Sequence, residues 1–344
     1  MKRFLALLKK ELLQLVKNPK TRATVFVPPL LQLFLLGYAA TMDLTNVPFA
    51  VLDRAHTSET REVVARLAAS GVFDFAGTLA DEAALKRCMD ERRIRLALCF
   101  ASDGTAQVVA DGRNTTSANT AIGYAQAILR GQDGRAPTVR GWFNPNYNAR
   151  WFMVPCLLAI LVLLALTLLV ALSLAREREE GTLDQLRLTP FSPTQILLSK
   201  GLSGVVVGFC QCALCLVVVK FHFRIPYVSS AWLLPVLLAC FLMAAVGLGL
   251  LVSVCSRNLQ QAMILTFLFA IPLAMLSGMA TPVACMPDAL QKVVALNPVR
   301  WAIEALQRLF LEGADFADIA PACAILAALG GGSFAIAVRR FRRA

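Results

Sequence analysis

Few residues in this chain are equipped for chemistry. Histidine, the side chain best suited to acid–base work near neutral pH, occurs only at His56 and His222. No Gly-x-x-x-x-Gly-Lys-Ser/Thr loop is present to cradle phosphates, no His-Glu-x-x-His pair to hold zinc, and no Gly-x-Ser-x-Gly turn to expose a nucleophile. Cys210, Cys212 and Cys215 could be read as a metal cluster, but no histidine accompanies them and the run is lipid-like, where a thiol behaves as a small hydrophobe. Cys156, Cys240, Cys255 and Cys323 fall in similar apolar runs. Cys88 and Cys99 lie in a polar stretch where either a disulfide or two free thiols are compatible with the spacing. The cores of the apolar runs hold no acid that could relay protons, which disfavours an ion-coupled transporter. The expectation is therefore a chain with no catalytic residue, no cofactor and no metal of its own, drawing energy from a partner.

Two segments are polar or proline-rich in patterned ways. The first is 176–193, REREEGTLDQLRLTPFSP, where Leu183, Leu186 and Leu188 line part of a short amphipathic helix bracketed by Gly181 and Pro190. Two readings fit it: a solvated loop, or a helix whose leucines fill a partner's groove while the flanking charges set register. The second is 277–313, which stays half apolar yet carries Pro282, Pro287 and Pro298. Its Val299–Leu311 stretch reads as an amphipathic helix with Trp301, Ile303, Leu306 and Phe310 as apolar residues, and Glu304 can pair with Arg300 or Arg308. An interfacial helix anchored by Trp301 is one reading; two short helices dipping back into the membrane is the other, and such backbone must be covered by protein or line a cavity.

The elements around these segments are set by the bilayer. Of 344 residues, 57% are hydrophobic and 16% charged, against about a quarter charged in a soluble protein. Apolar runs of close to the ~20 residues a crossing helix needs occur at 23–41, 152–175, 195–219, 232–254, 261–280 and 319–338. Residues 2–17 alternate basic and apolar residues at helical spacing, with Leu5, Leu8, Leu12, Leu15 and Val16 sharing a face, as in a helix lying in the membrane interface. Six crossings put both termini on one side. The basic residues before the first run, those of 176–200, Arg257 and the four arginines of the tail carry nearly all of the net charge of +12, which makes that side cytoplasmic. Lys220 and Arg224, on the other side, run against this rule. The basic residues thus track topology, and a nucleic-acid partner is not implied.

Residues 43–148 carry twelve acids and twelve bases and read as a separate folded unit. Strand-like segments at 48–53, 94–100 and 106–110 alternate with helical ones at 58–70, 81–92 and 117–129, which argues for a small α/β domain. The fold class is accordingly a mainly α membrane protein. It has six transmembrane helices, an interfacial helix at 1–22, a first span at 23–41 and an extracytoplasmic α/β domain at 42–149. Five spans follow over 150–344, with a loop at 176–193 and re-entrant helices at 277–313.

In four places the residues resemble the ABC-2 type membrane family, closest to bacterial inner-membrane transport permeases with a large domain between the first two spans. The run Glu177-Arg178-Glu179 through Thr189-Pro190 is similar to the family's coupling segment. Ser277-Gly278, Met286-Pro287 and Asn297-Pro298-x-Arg300-Trp301-x-Ile303-Glu304-Ala305 resemble its external re-entrant hairpin. Asp111-Gly112-Arg113-Asn114 with Gly123-Tyr124, and Trp142-Phe143-Asn144-Pro145 with Phe152-Met153-Val154-Pro155, resemble its outer domain and its approach to the second span. The resemblance implies a permease that pairs with a second permease chain and docks an ABC ATPase subunit, which holds ATP and Mg. It also implies a bacterial inner-membrane location and, in related systems, a periplasmic adaptor and an outer-membrane channel. Glu177, Glu179, Glu180, Gly181, Thr182, Leu183, Gln185, Leu186 and Pro190 would then be coupling residues. Pro282, Pro287, Asn297, Pro298, Arg300, Trp301, Glu304 and Arg308 would shape the re-entrant gate. An amphiphilic drug or lipid-like substrate suits the uncharged path. The competing expectation is a membrane sensor whose outer domain binds a ligand, disfavoured by the four further spans and the lack of an output module.

Overall fold

The computed structural model describes residues 2–17, 19–39, 47–91, 93–102, 105–111, 115–130, 149–188, 191–281, 283 and 286–343. The chain divides into two compact units, Thr41–Pro145 and the remainder, Met1–Ala40 with Asn146–Ala344.

The smaller unit is built on four strands, β1 (Val47–Asp53), β2 (Phe73–Thr78), β3 (Leu96–Phe100) and β4 (Ala106–Ala110), in the order β2-β1-β3-β4. β1 runs parallel to both β2 and β3, and β4 closes one edge antiparallel to β3. Parallel neighbours need crossover helices, here α3 (Ser58–Ala69) and α4 (Glu82–Asp90); α5 (Thr115–Arg130) follows β4. Strand alternation sorts the side chains. Phe49, Val51, Leu96 and Leu98 pack with Val63 and Leu67 of α3 and Ala121 and Ala125 of α5, while Ala50 and Ala97 face Leu85 and Met89 of α4 on the other side. β2 has no counterpart among the expected strands. Cys88 and Cys99 are both free thiols.

The larger unit is helical: α1 (Lys2–Lys17), α2 (Pro19–Ala39), α6 (Ala149–Glu179), α7 (Thr182–Arg187), α8 (Pro193–Val217, continued by a π turn to His222), α9 (Leu233–Cys255), α10 (Leu259–Met275), α11 (Asp288–Val294), α12 (Pro298–Gln307, continued by a π turn to Glu312) and α13 (Phe316–Arg343). α6, α8 with its π turn, α9 and α13 are each long and apolar enough to cross a membrane. The other two expected spans are shorter apolar helices, Val25–Ala39 and Leu259–Met275. The run expected over 261–280 ends as a helix at Met275, three residues after Pro272, and Gly278 then takes a left-handed φ of +96° that reverses the chain.

α6 is the hub. It packs against α2, α8, α9, α10 and α12, and its residues Val154–Leu163 are continuously buried. The crossing of α9 and α13 is closer than side chains would allow: a Cβ on Gly330 would sit 2.8 Å from the Met243 carbonyl carbon and 2.9 Å from the Ala244 nitrogen. Small residues at such a crossing let backbones approach where lipid offers no hydrophobic drive to associate.

Candidate functional site

The end of the helical unit where α6 stops and α8 starts gathers the charged residues that the fold buries. α6 runs four residues into the segment expected as loop, and closes at Gly181, whose φ of +70° is the left-handed C-cap conformation. Glu177, Arg178 and Glu179 are therefore helical, and consecutive helical residues point in different directions. Each reaches a different element. Glu177 Oε1 lies 2.9 Å from Lys200 Nζ of α8. Arg178 donates to the Ser256 carbonyl at the end of α9. Glu179 Oε1 accepts the Leu259 N–H at 2.8 Å, satisfying a first-turn donor of α10 beside the Asn258 cap.

Lys200 is the centre of this cluster, its side chain only 2% exposed. Besides Glu177 it meets Glu11 Oε1 of α1 at 3.3 Å and donates to Ser173 Oγ of α6 at 3.1 Å. Lys10, half-exposed, approaches Glu177 at 3.9 Å and Glu11 at 4.0 Å. Two acids and two bases are thus drawn together from α1, α6 and α8. The second oxygen of Glu177, Oε2, is buried without a partner among the described residues.

Among the described side chains of α1, Leu7 and Glu11 are buried against the protein, while Leu5 and Leu13 face outward. A helix wedged between protein and membrane has two useful faces, and the acid takes the inner one. The side chains of Leu15 and Val16 lie outside the described residues.

Leu183 is corrected. Rather than offering itself to a partner's groove, it is 4% exposed and belongs to the main core with Leu174 and Leu197. α7 is only six residues, so one turn faces inward and little is left over. Glu180, Gly181, Gln185 and Leu188 are exposed, Leu188 at 89%, and Thr182 is half-buried with its hydroxyl donating to the Glu177 carbonyl. The side chain of Leu186, and Pro190 altogether, lie outside the described residues. Arg342, near the end of α13, donates to Thr194 Oγ1 at 3.3 Å, which brings the arginine-rich tail to this same end.

Neutral hydrogen bonds anchor the 277–313 stretch, and its charged contacts lie on partly exposed side chains. Asn297, 1% exposed, caps α12 by accepting the Val299 N–H at 2.9 Å and donates to the Leu273 carbonyl of α10 at 2.7 Å. That carbonyl is free to accept because it lies in the last turn of α10, and the Ser277 N–H beyond it bonds the Ala274 carbonyl instead. Pro298 occupies the first helical position, where a missing N–H costs nothing. Trp301 Nε1 donates to the Ala295 carbonyl at 2.8 Å, and Arg300 lies over the Trp301 ring. Of the two pairings open to Glu304, the one with Arg308 forms, at 2.8 Å. Val299, Ile303, Leu306 and Phe310 enter the main core, so α12 is covered by protein. Pro287 is exposed ahead of α11; Pro282 lies outside the described residues.

The helical unit thus buries charge at one end and folds short helices back at the other. A family profile described as an ABC-2 family transporter protein matches residues 19–339, and the chain belongs to that family. It is 31% identical to the probable multidrug ABC transporter permease YbhR of Escherichia coli (strain K12), over 99% of this chain and 98% of that one. It is 32% identical to the inner membrane transport permease YhhJ of the same organism, over 69% and 67% of the two chains. Across 48% of its length it is 30% identical to the linearmycin resistance permease protein LnrN of Bacillus subtilis (strain 168). Family members are membrane permease subunits and not themselves enzymes.

Proposed function

We propose that the chain is the membrane-spanning subunit of an ATP-driven exporter, paired with a second permease chain and driven by a separate ATPase that binds ATP and Mg. The observation that carries this reading is the three-way attachment of Glu177, Arg178 and Glu179. A push on the exposed edge formed by Glu180, Gln185 and Leu188 reaches α8, α9 and α10 through one short lever. On this reading that end is cytoplasmic with both termini, and residues 42–149 lie in the periplasm.

Six crossings are needed for that topology, so α2 and α10 also traverse. The 17 residues of α10 rise only about 25 Å against roughly 30 Å of hydrocarbon, which asks for local thinning of the bilayer or for the protein cover that α11 and α12 supply. Two of the similar permeases carry multidrug or linearmycin resistance in their names, and an apolar interior suits an amphiphilic drug or lipid-like cargo. The test is uptake of a fluorescent amphiphile into inverted vesicles containing the chain and its ATPase. Uptake that follows ATP and survives an uncoupler supports the proposal. Uptake that ignores ATP and collapses with the proton gradient overturns it.

A further inference from the structure

The Lys200 cluster is a puzzle for stability alone. Buried ion pairs are often no more stable than well-packed apolar residues of the same volume, because desolvation offsets the attraction. Here the balance is poorer still, since Glu177 Oε2 is left buried and unpaired among the described residues. An apolar contact, however, can slide, whereas an ammonium between two carboxylates and a hydroxyl is held along several directions at once.

What the cluster fixes is register among three elements. Glu11 belongs to α1, Glu177 and Ser173 to the last turns of α6, and Lys200 to the second turn of α8. Lys10 screens the outer side. Glu177 is also the first residue of the segment through which an ATPase would push.

We propose that Lys200 is a positioning residue for energy coupling. Its ammonium pins α1 to the α6–α8 corner, so that displacement of the 177–188 edge moves the interfacial helix and α8 together. The proposal rests on the permease reading above and adds the route by which motion leaves the loop.

The deciding variant is Glu11→Gln, which removes the α1 half of the pin at a residue outside the 177–190 segment. With the ATPase present, it is expected to accumulate, keep its ATPase bound and hydrolyse ATP within about twofold of the unmodified chain. Transport per ATP should fall about tenfold, the size of a lost coupling interaction. Unchanged transport per ATP overturns the proposal, since the cluster would then only fill space. Should Glu11→Gln not accumulate, Glu11→Asp, which keeps the charge but draws it back from Lys200, decides: a lowered ratio supports the pin and an unchanged one overturns it. If the unmodified chain shows no ATP-dependent transport, it is the permease reading that fails. The pin is then read from trypsin cleavage at Lys9 and Lys17 in membranes. Cleavage several-fold faster in Glu11→Gln supports it, and equal rates overturn it.

Discussion

The 177–190 corner and the 277–313 hairpin are both places where a long helix hands over to short ones, yet opposite chemistry fastens them. The corner uses buried charge, with Lys200 between Glu11 and Glu177. The hairpin uses neutral groups: the Asn297 amide on the Leu273 carbonyl, and the Trp301 indole on the Ala295 carbonyl. On the proposed function, the difference follows from what each would do. Charge-assisted hydrogen bonds are the stronger kind, and withdrawing one partner strands the other as an uncompensated buried charge, which suits a point that transmits displacement. Neutral hydrogen bonds at a helix cap satisfy backbone that would otherwise lie bare at membrane depth, which suits a plug that must simply stay folded.

Substitutions separate the two chemistries, and their effects should fall in a definite order. Lys200→Met alone strands two carboxylates in the interior and should destabilise the purified permease by about 3–5 kcal/mol, seen as a large drop in thermal unfolding temperature; Lys200→Arg should recover part of it. Asn297→Ala removes a cap and leaves the Leu273 carbonyl without its amide, an expected loss of about 1–3 kcal/mol by the same assay. Asn297→Asp keeps the acceptor for Val299 and should lie between Ala and the native residue. Glu179→Gln retains an acceptor for the Leu259 N–H on an exposed side chain, so its cost should stay below about 1 kcal/mol. Glu304→Gln, in a partly exposed pair with Arg308, should be within about 0.5 kcal/mol of native. If Asn297→Ala proved as costly as Lys200→Met, the contrast between the two regions would collapse.

Much of this was legible in the residues. Periodicity and length placed the four long helices within a few residues, and the amphipathic spacing of Trp301, Ile303, Leu306 and Phe310 placed the start of α12 within one residue. What escaped was contact between distant residues. Glu11 and Lys200 are separated by 189 positions, and charge counting treated both as topology markers. A lysine in an otherwise apolar helix, with an acid on an amphipathic helix able to reach it, was the available signal. Helical spacing gives the stripe of leucines on α1 but not that Glu11, off that stripe, packs against the protein. β2 went unseen because FDFAGT offers one alternating pair before a glycine, too little to outweigh its polar neighbours. Leu183 looked like a docking residue because its spacing from Leu186 is helical; in a single turn, that spacing says nothing about which side is buried.

The central claim is that the exposed edge of the 177–190 corner receives an ATPase. Co-purification tests it most directly, comparing the unmodified chain with Gln185→Lys/Leu188→Asp, whose native side chains are exposed and outside the core. The account predicts an ATPase subunit retained by the unmodified chain and lost from the double variant, with both chains equally folded. Equal retention by the two would contradict it.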